Sequence, residues 1–83
     1  RHADIAIRKD GTVFVMDTDA ETDLRLHYRK PGAPEFTTEI IVAGRSYEWS
    51  GLTIDATGVL HATMVYEYPS GDRELRYGWV KTQ

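Results

Sequence analysis

Apolar and polar residues alternate one for one along nearly the whole of this 83-residue chain. A period of two is the mark of strands that turn one face to a core. Ile5 and Ile7 share a face, as do Val13 and Val15, and Leu24, Leu26 and Tyr28 alternate with Arg25, His27 and Arg29. Phe36, Thr38, Ile40 and Val42 continue the pattern. Leu52 with Ile54 follows, then Leu60, Ala62, Met64 and Tyr66, and finally Leu75, Tyr77 and Trp79. The spacing predicts seven strands and an all-β chain. "DTDAETD", Asp17 to Asp23, is the one stretch with helical character, but it has no apolar stripe and reads as a loop.

The punctuation between these runs repeats. Asp10-Gly11 and Thr57-Gly58 supply the residue that accepts positive φ in a tight hairpin, while "KPGAP", "AGRS" and "YPSGD" read as looser connections. Ile5-Ala6-Ile7 falls on Leu52-Thr53-Ile54, Gly11 on Gly58 and Val13 on Leu60. After a two-residue difference in the next loop, Asp23 falls on Asp72, Leu26 on Leu75 and Tyr28 on Tyr77. The chain therefore divides into two units, 1–46 and 47–83. The first carries strands at about 3–8, 12–17, 23–29 and 36–43; the second carries them at about 50–55, 59–66 and 74–80 and stops before a fourth. Four antiparallel strands in a period of about 45–50 residues is the pattern of a β-propeller blade, so the expectation is about two blades. A small seven-stranded β-sandwich is the alternative, although a sandwich has no reason to duplicate its turn.

Size and composition set the surroundings such a unit needs. A chain this short buries only about 60–65% of its unfolded surface, and without cysteine neither a disulfide nor a thiolate metal site adds stability. The expectation is support from outside: further blades of a longer protein, or a homo-oligomer. The net charge of −3 comes from 13 acidic and 10 basic residues spread along the chain, which is no footprint for nucleic acid. The apolar runs are too short for a membrane span, and the N-terminus lacks a signal-peptide core. A start at Arg1 reads as a processed or excised segment, and the compartment stays open, with secreted and periplasmic locations among the options.

"LTIDATGVLHATMVYEYPSGDRELRYGWVKT" resembles one repeat of the sialidase-like propellers with bacterial neuraminidase repeats: an inner strand, a "D-x-x-G-x-x-H" turn, a second strand, and a third with "Leu-x-Tyr". "IAIRKDGTVFVMDTDAETDLRLHYRKPG" is similar, with Phe14 in place of His61. The resemblance covers nearly the whole chain. Asp10-Gly11-Thr12 keeps part of the family's aspartate box and Thr57-Gly58-Val59 less of it, and neither has the box tryptophan. The resemblance implies a glycine turn at the bottom of each blade and ligands at the top. His2, Tyr47, Glu48, Trp49, Asp17 to Asp23 and Glu67 to Arg73 would then lie at the top.

The candidate ligand-binding residues are Tyr47, Glu48, Trp49 and Arg73, because an aromatic face stacks on the C–H groups of a sugar ring while charged groups bind its hydroxyls. Packing between blades is the competing reading for Trp49. His27, His61 and Tyr66 are the candidates for proton transfer. The family's lyase-type members imply a histidine and a tyrosine as base, with an arginine over the uronate carboxylate. His61 with Tyr66, or His27 with Arg25, fits those roles by residue type, and nothing in the spacing selects them. Asp17, Asp19, Glu21 and Asp23 alternate carboxylates but lack the glycine and terminal glutamate of a calcium loop, so no metal and no cofactor are expected. The leading functional expectation is a carbohydrate-recognition module with a glycan or polysaccharide partner. The alternatives are a fragment of a polysaccharide lyase or glycosidase and a non-catalytic structural or interaction domain.

Overall fold

A computed structural model describes residues 3–18, 23–42 and 47–82, without the side chains of residues 40–42 and 47–50. Among these residues the chain is all-β. Strands β1 (Ala3–Ile7), β2 (Val13–Thr18), β3 (Leu24–Arg29) and β4 (Thr37–Val42) form one antiparallel meander, sheet A. Strands β5 (Tyr47–Ile54), β6 (Val59–Glu67) and β7 (Arg73–Lys81) form a second, sheet B. Two antiparallel sheets stacked face to face also fit the small-sandwich alternative.

Three of the hairpins obey one rule. In the β1–β2 turn the Arg8 N–H donates to Thr12 O at 2.8 Å and the Gly11 N–H to Arg8 O at 2.8 Å. Asp55, Val59 and Gly58 repeat that pattern, and so do Tyr68, Asp72 and Gly71. Gly11, Gly58 and Gly71 have φ of +96°, +88° and +93°, the left-handed geometry that closes a three-residue hairpin loop and that a Cβ opposes. "YPSGD" is thus a third tight hairpin rather than a looser connection, because its glycine sits at the same offset from the turn's first residue.

Register shows how far the two sheets are duplicates. Ile5 opposes Val15 and Ile7 opposes Val13, as Leu52 opposes Ala62 and Ile54 opposes Leu60. In the next ladder Thr18 opposes Leu24 and Met16 opposes Leu26, while Val65 opposes Leu75 and Thr63 opposes Tyr77. Leu24, Leu26 and Tyr28 therefore correspond to Leu75, Tyr77 and Trp79. The sequence alignment, which laid Leu26 on Leu75, is displaced by one pair of residues, because the β6–β7 ladder runs further toward its turn. A shift of two residues preserves which face each side chain takes.

The sheets meet through Ala6, Phe14, Met16, Leu24 and Leu26 of sheet A and Leu60 and Met64 of sheet B, with Leu52, Ile54 and Ala62 packed against them. β5 packs on β1 and β2. Toward β3 and β7 the sheets part around a cleft of about 320 Å³, walled by Leu24, Leu26, Met64 and Val80 with Arg76 among its lining. Polar bonds tie the stack. The backbone N–H of Leu52 donates to Asp4 Oδ2 at 2.8 Å. Arg8 Nη1 donates to Thr82 Oγ1 at 2.8 Å, and that hydroxyl donates to Gly58 O at 2.6 Å. The Arg8 and Gly58 turns are thus joined through the residue that follows β7.

Candidate functional site

Strand alternation gives each sheet an inner face, in the core, and an outer one. On sheet B the outer face carries Leu75, Tyr77 and Trp79 in a row along β7, with relative exposures of 73%, 60% and 67%. His61 lies beside them, opposite Trp79 in the ladder. Its ring stacks on that of Tyr77 at 5.9 Å between centroids.

Asp55 organises this face. Its Oδ1 accepts from the Thr57 N–H at 2.9 Å, the Thr57 hydroxyl at 2.6 Å and the Val59 N–H at 3.0 Å. Its Oδ2 lies 2.8 Å from His61 Nε2. The His61 bond first, then those from Thr57 and Val59, hold the carboxyl well below the usual carboxylate range. An ionised carboxylate only accepts, so His61 Nε2 carries the hydrogen, and in the neutral ring Nδ1 accepts the hydroxyl hydrogen of Tyr77 at 2.6 Å. The chain Tyr77–His61–Asp55 has the connectivity of a proton relay. It lies on an open face where water competes for any proton, and its direct effect is to fix the tyrosine ring.

Sheet A carries an analogous group on its own outer face. Asp17 Oδ1 lies 2.9 Å from His27 Nε2, Asp17 Oδ2 lies 3.2 Å from Arg25 Nη2, and His27 Nδ1 lies 2.8 Å from Thr38 Oγ1. Burial pushes the Asp17 carboxyl up, but hydrogen bonds from His27 and Arg25 outweigh it and leave the group below its ordinary value.

The histidines expected from sequence thus sit on opposite outer faces of the stack. Tyr66 lies on the other side of β6 from His61, five positions away, so the structure does not pair them; the tyrosine it gives His61 is Tyr77. Tyr66 is 8% exposed and packs, with the Arg76 guanidinium 4.4 Å above its ring and Tyr68 edge-on at 4.7 Å. Tyr47, Glu48 and Trp49 open β5, with Tyr47 opposite Tyr66, Trp49 opposite Val65, and a register shift between them. Arg73 opposes Glu67 at the start of β7, 3.9 Å away. The four ligand candidates therefore share one end of sheet B, while the side chains of Tyr47, Glu48 and Trp49 lie outside the described residues, as do His2, Asp19 and Glu21.

Sequence reasoning missed Asp55, Tyr77, Asp4 and Arg8. The signal for the first two was the parity of β6 and β7, which puts His61 and Tyr77 on one face. Among the described residues no group of three or more His, Asp or Glu side chains is placed to hold a metal ion. No helix among them is long and apolar enough to cross a membrane. Comparison with protein-family models, curated proteins and solved structures finds no match to this chain.

Proposed function

We propose that the chain is a non-catalytic assembly module, two repeat sheets that work as members of a longer stack and dock a further antiparallel sheet on the outer face of sheet B. One observation carries this reading. Leu24 and Leu26 are buried in the core shared with sheet B, 1% and 8% exposed, and Tyr28 is half-buried against it, whereas their ladder counterparts Leu75, Tyr77 and Trp79 stand open. A contiguous apolar row of this kind on a small domain marks a contact surface. The blade reading of the sequence describes the same object.

The test is a variant with Leu75→Thr, Tyr77→Thr and Trp79→Thr, because threonine keeps strand propensity while removing apolar area. At a dilution where the parent is monomeric, the variant should keep the far-UV circular dichroism of the parent and lose its apolar-dye binding. Unchanged dye binding in the folded variant refutes the reading.

Carbohydrate recognition is the second reading. Exposed Tyr77 and Trp79 rings beside the hydrogen-bonding Asp55 and His61 favour it, since ring faces flanked by polar groups suit a saccharide. It predicts a saturable fluorescence change on titration with acidic and neutral oligosaccharides that Trp79→Phe removes. A titration without such a change rejects it.

A further inference from the structure

The two outer faces of the stack are not arbitrary surfaces; each has a counterpart already buried inside the molecule. On sheet A the outer face holds Ile5 and Ile7, 56% and 60% exposed. By ladder register these residues correspond to Leu52 and Ile54, which pack against the core from sheet B. On sheet B the outer face holds Leu75, Tyr77 and Trp79. These correspond to Leu24, Leu26 and Tyr28, which line the same internal interface from sheet A. The molecule therefore buries one copy of an interface between its sheets and exposes both halves of a second copy on opposite sides.

We infer that these halves fit each other, and that a second copy of this chain docks head to tail, the Ile5–Ile7 face of one copy on the Leu75–Tyr77–Trp79 face of the next. This rests on the reading of the sheet B face as a docking surface and adds the identity of the partner. One pair of positions agrees with it, while His27 and Arg29 stand on the outer face of sheet A where Gly78 and Val80 stand on the inner face of sheet B. Met16 and Met64 belong to one cluster inside the chain, and their register counterparts on the outer faces are Thr63 and Asp17. Both sides change from apolar to polar together, so the outer pair avoids setting a carboxylate against a thioether.

The geometry also fixes the symmetry class. Two different surfaces of one chain that fit each other make a heterologous contact, which closes into a ring when the rotation per step allows and otherwise runs on as a filament. A dimer with a two-fold axis would instead place identical faces together.

The test uses two variants of the full chain, Ile5→Lys with Ile7→Lys and Tyr77→Lys with Trp79→Lys, each with one face blocked and the other intact. All four side chains are more than half exposed, so the strands should survive, as far-UV circular dichroism will show. Threonine at the same positions serves if either lysine variant loses its strands. The parent chain should scatter light as a multiple of the monomer mass. Each variant alone should fall to the monomer mass, and an equimolar mixture should return a species of twice that mass, because the mixture restores one complete interface. Self-association of the Ile5/Ile7 variant alone would mean that sheet B faces pair with each other, which overturns the head-to-tail inference and keeps the docking surface. Association that survives both sets of substitutions would run through neither face and would overturn both. A folded parent that stays monomeric at high concentration overturns the second-copy inference, and the dye experiment then judges the surface separately.

Discussion

Leu24 and Leu75 occupy the same place in duplicate sheets, yet the structure predicts opposite consequences for truncating them. Leu24 opposes Thr18 and is 1% exposed; Leu75 opposes Val65 and is 73% exposed. Burying a leucine side chain contributes about 1.5–3 kcal/mol, and leucine-to-alanine changes in cores cost about 2–5 kcal/mol once the cavity is included. Leu24 lines the open cleft between the sheets, so the vacated volume joins existing space rather than forming a sealed void. That places Leu24→Ala near about 2–3 kcal/mol. Leu75→Ala should stay within about 0.5 kcal/mol in the dilute chain. A domain of this size has a total stability of about 4–12 kcal/mol, so the first change removes a large share of it. With a urea dependence of about 1 kcal/mol per molar, Leu24→Ala should lower the unfolding midpoint by about 2–3 M and Leu75→Ala by less than about 0.5 M. The assay is urea unfolding followed by far-UV circular dichroism at low micromolar concentration. Equal shifts for the two variants would refute the assignment of inner and outer faces.

Two further outcomes follow from the polar contacts. Asp10, held by the Arg8 guanidinium and the Thr12 N–H, and Asp55, held by His61, Thr57 and Val59, both lie well below the ordinary carboxylate range. A depressed folded value means that the unfolded chain takes up protons first on acidification. Their stabilisation is then complete above about pH 4 and is lost as pH falls through the window below it. Thermal unfolding between pH 5 and pH 2 should steepen accordingly, and Asp10→Asn with Asp55→Asn should flatten the profile; an unchanged profile would show that these turns are not linked to folding. At the junction of the sheets, Asp4→Ala strips the acceptor from the Leu52 N–H and should cost about 1–3 kcal/mol. Asp4→Asn keeps an acceptor oxygen and should retain most of that stability. Identical urea midpoints for the two variants would remove Asp4 from the account of how the sheets are joined.

Much of the architecture was legible in the sequence because it is local. Strict alternation made the seven strands readable, and a glycine after a polar residue marked the Gly11 and Gly58 hairpins. The "YPSGD" turn escaped because the proline and serine obscured a glycine spaced like the other two. The site was less legible. His61 was visible as a candidate, but its partners are Tyr77, sixteen residues on, and Asp55 in the preceding turn, and only the β6–β7 register brings the three together. Tyr66 was the nearer tyrosine in sequence and lies on the wrong side of the strand.

Alternation and turn chemistry by themselves determined that this chain forms two antiparallel meanders with the same hairpin rule, since both depend on residues a few positions apart. They did not determine which face of each meander is covered. Leu24-x-Leu26-x-Tyr28 and Leu75-x-Tyr77-x-Trp79 present the same apolar pattern to water or to a core, and a pattern of period two carries no information about what lies across it. Tertiary packing decided that one row is buried and the other open, because burial depends on the position of the second sheet, and a two-sheet stack covers only two of its four faces.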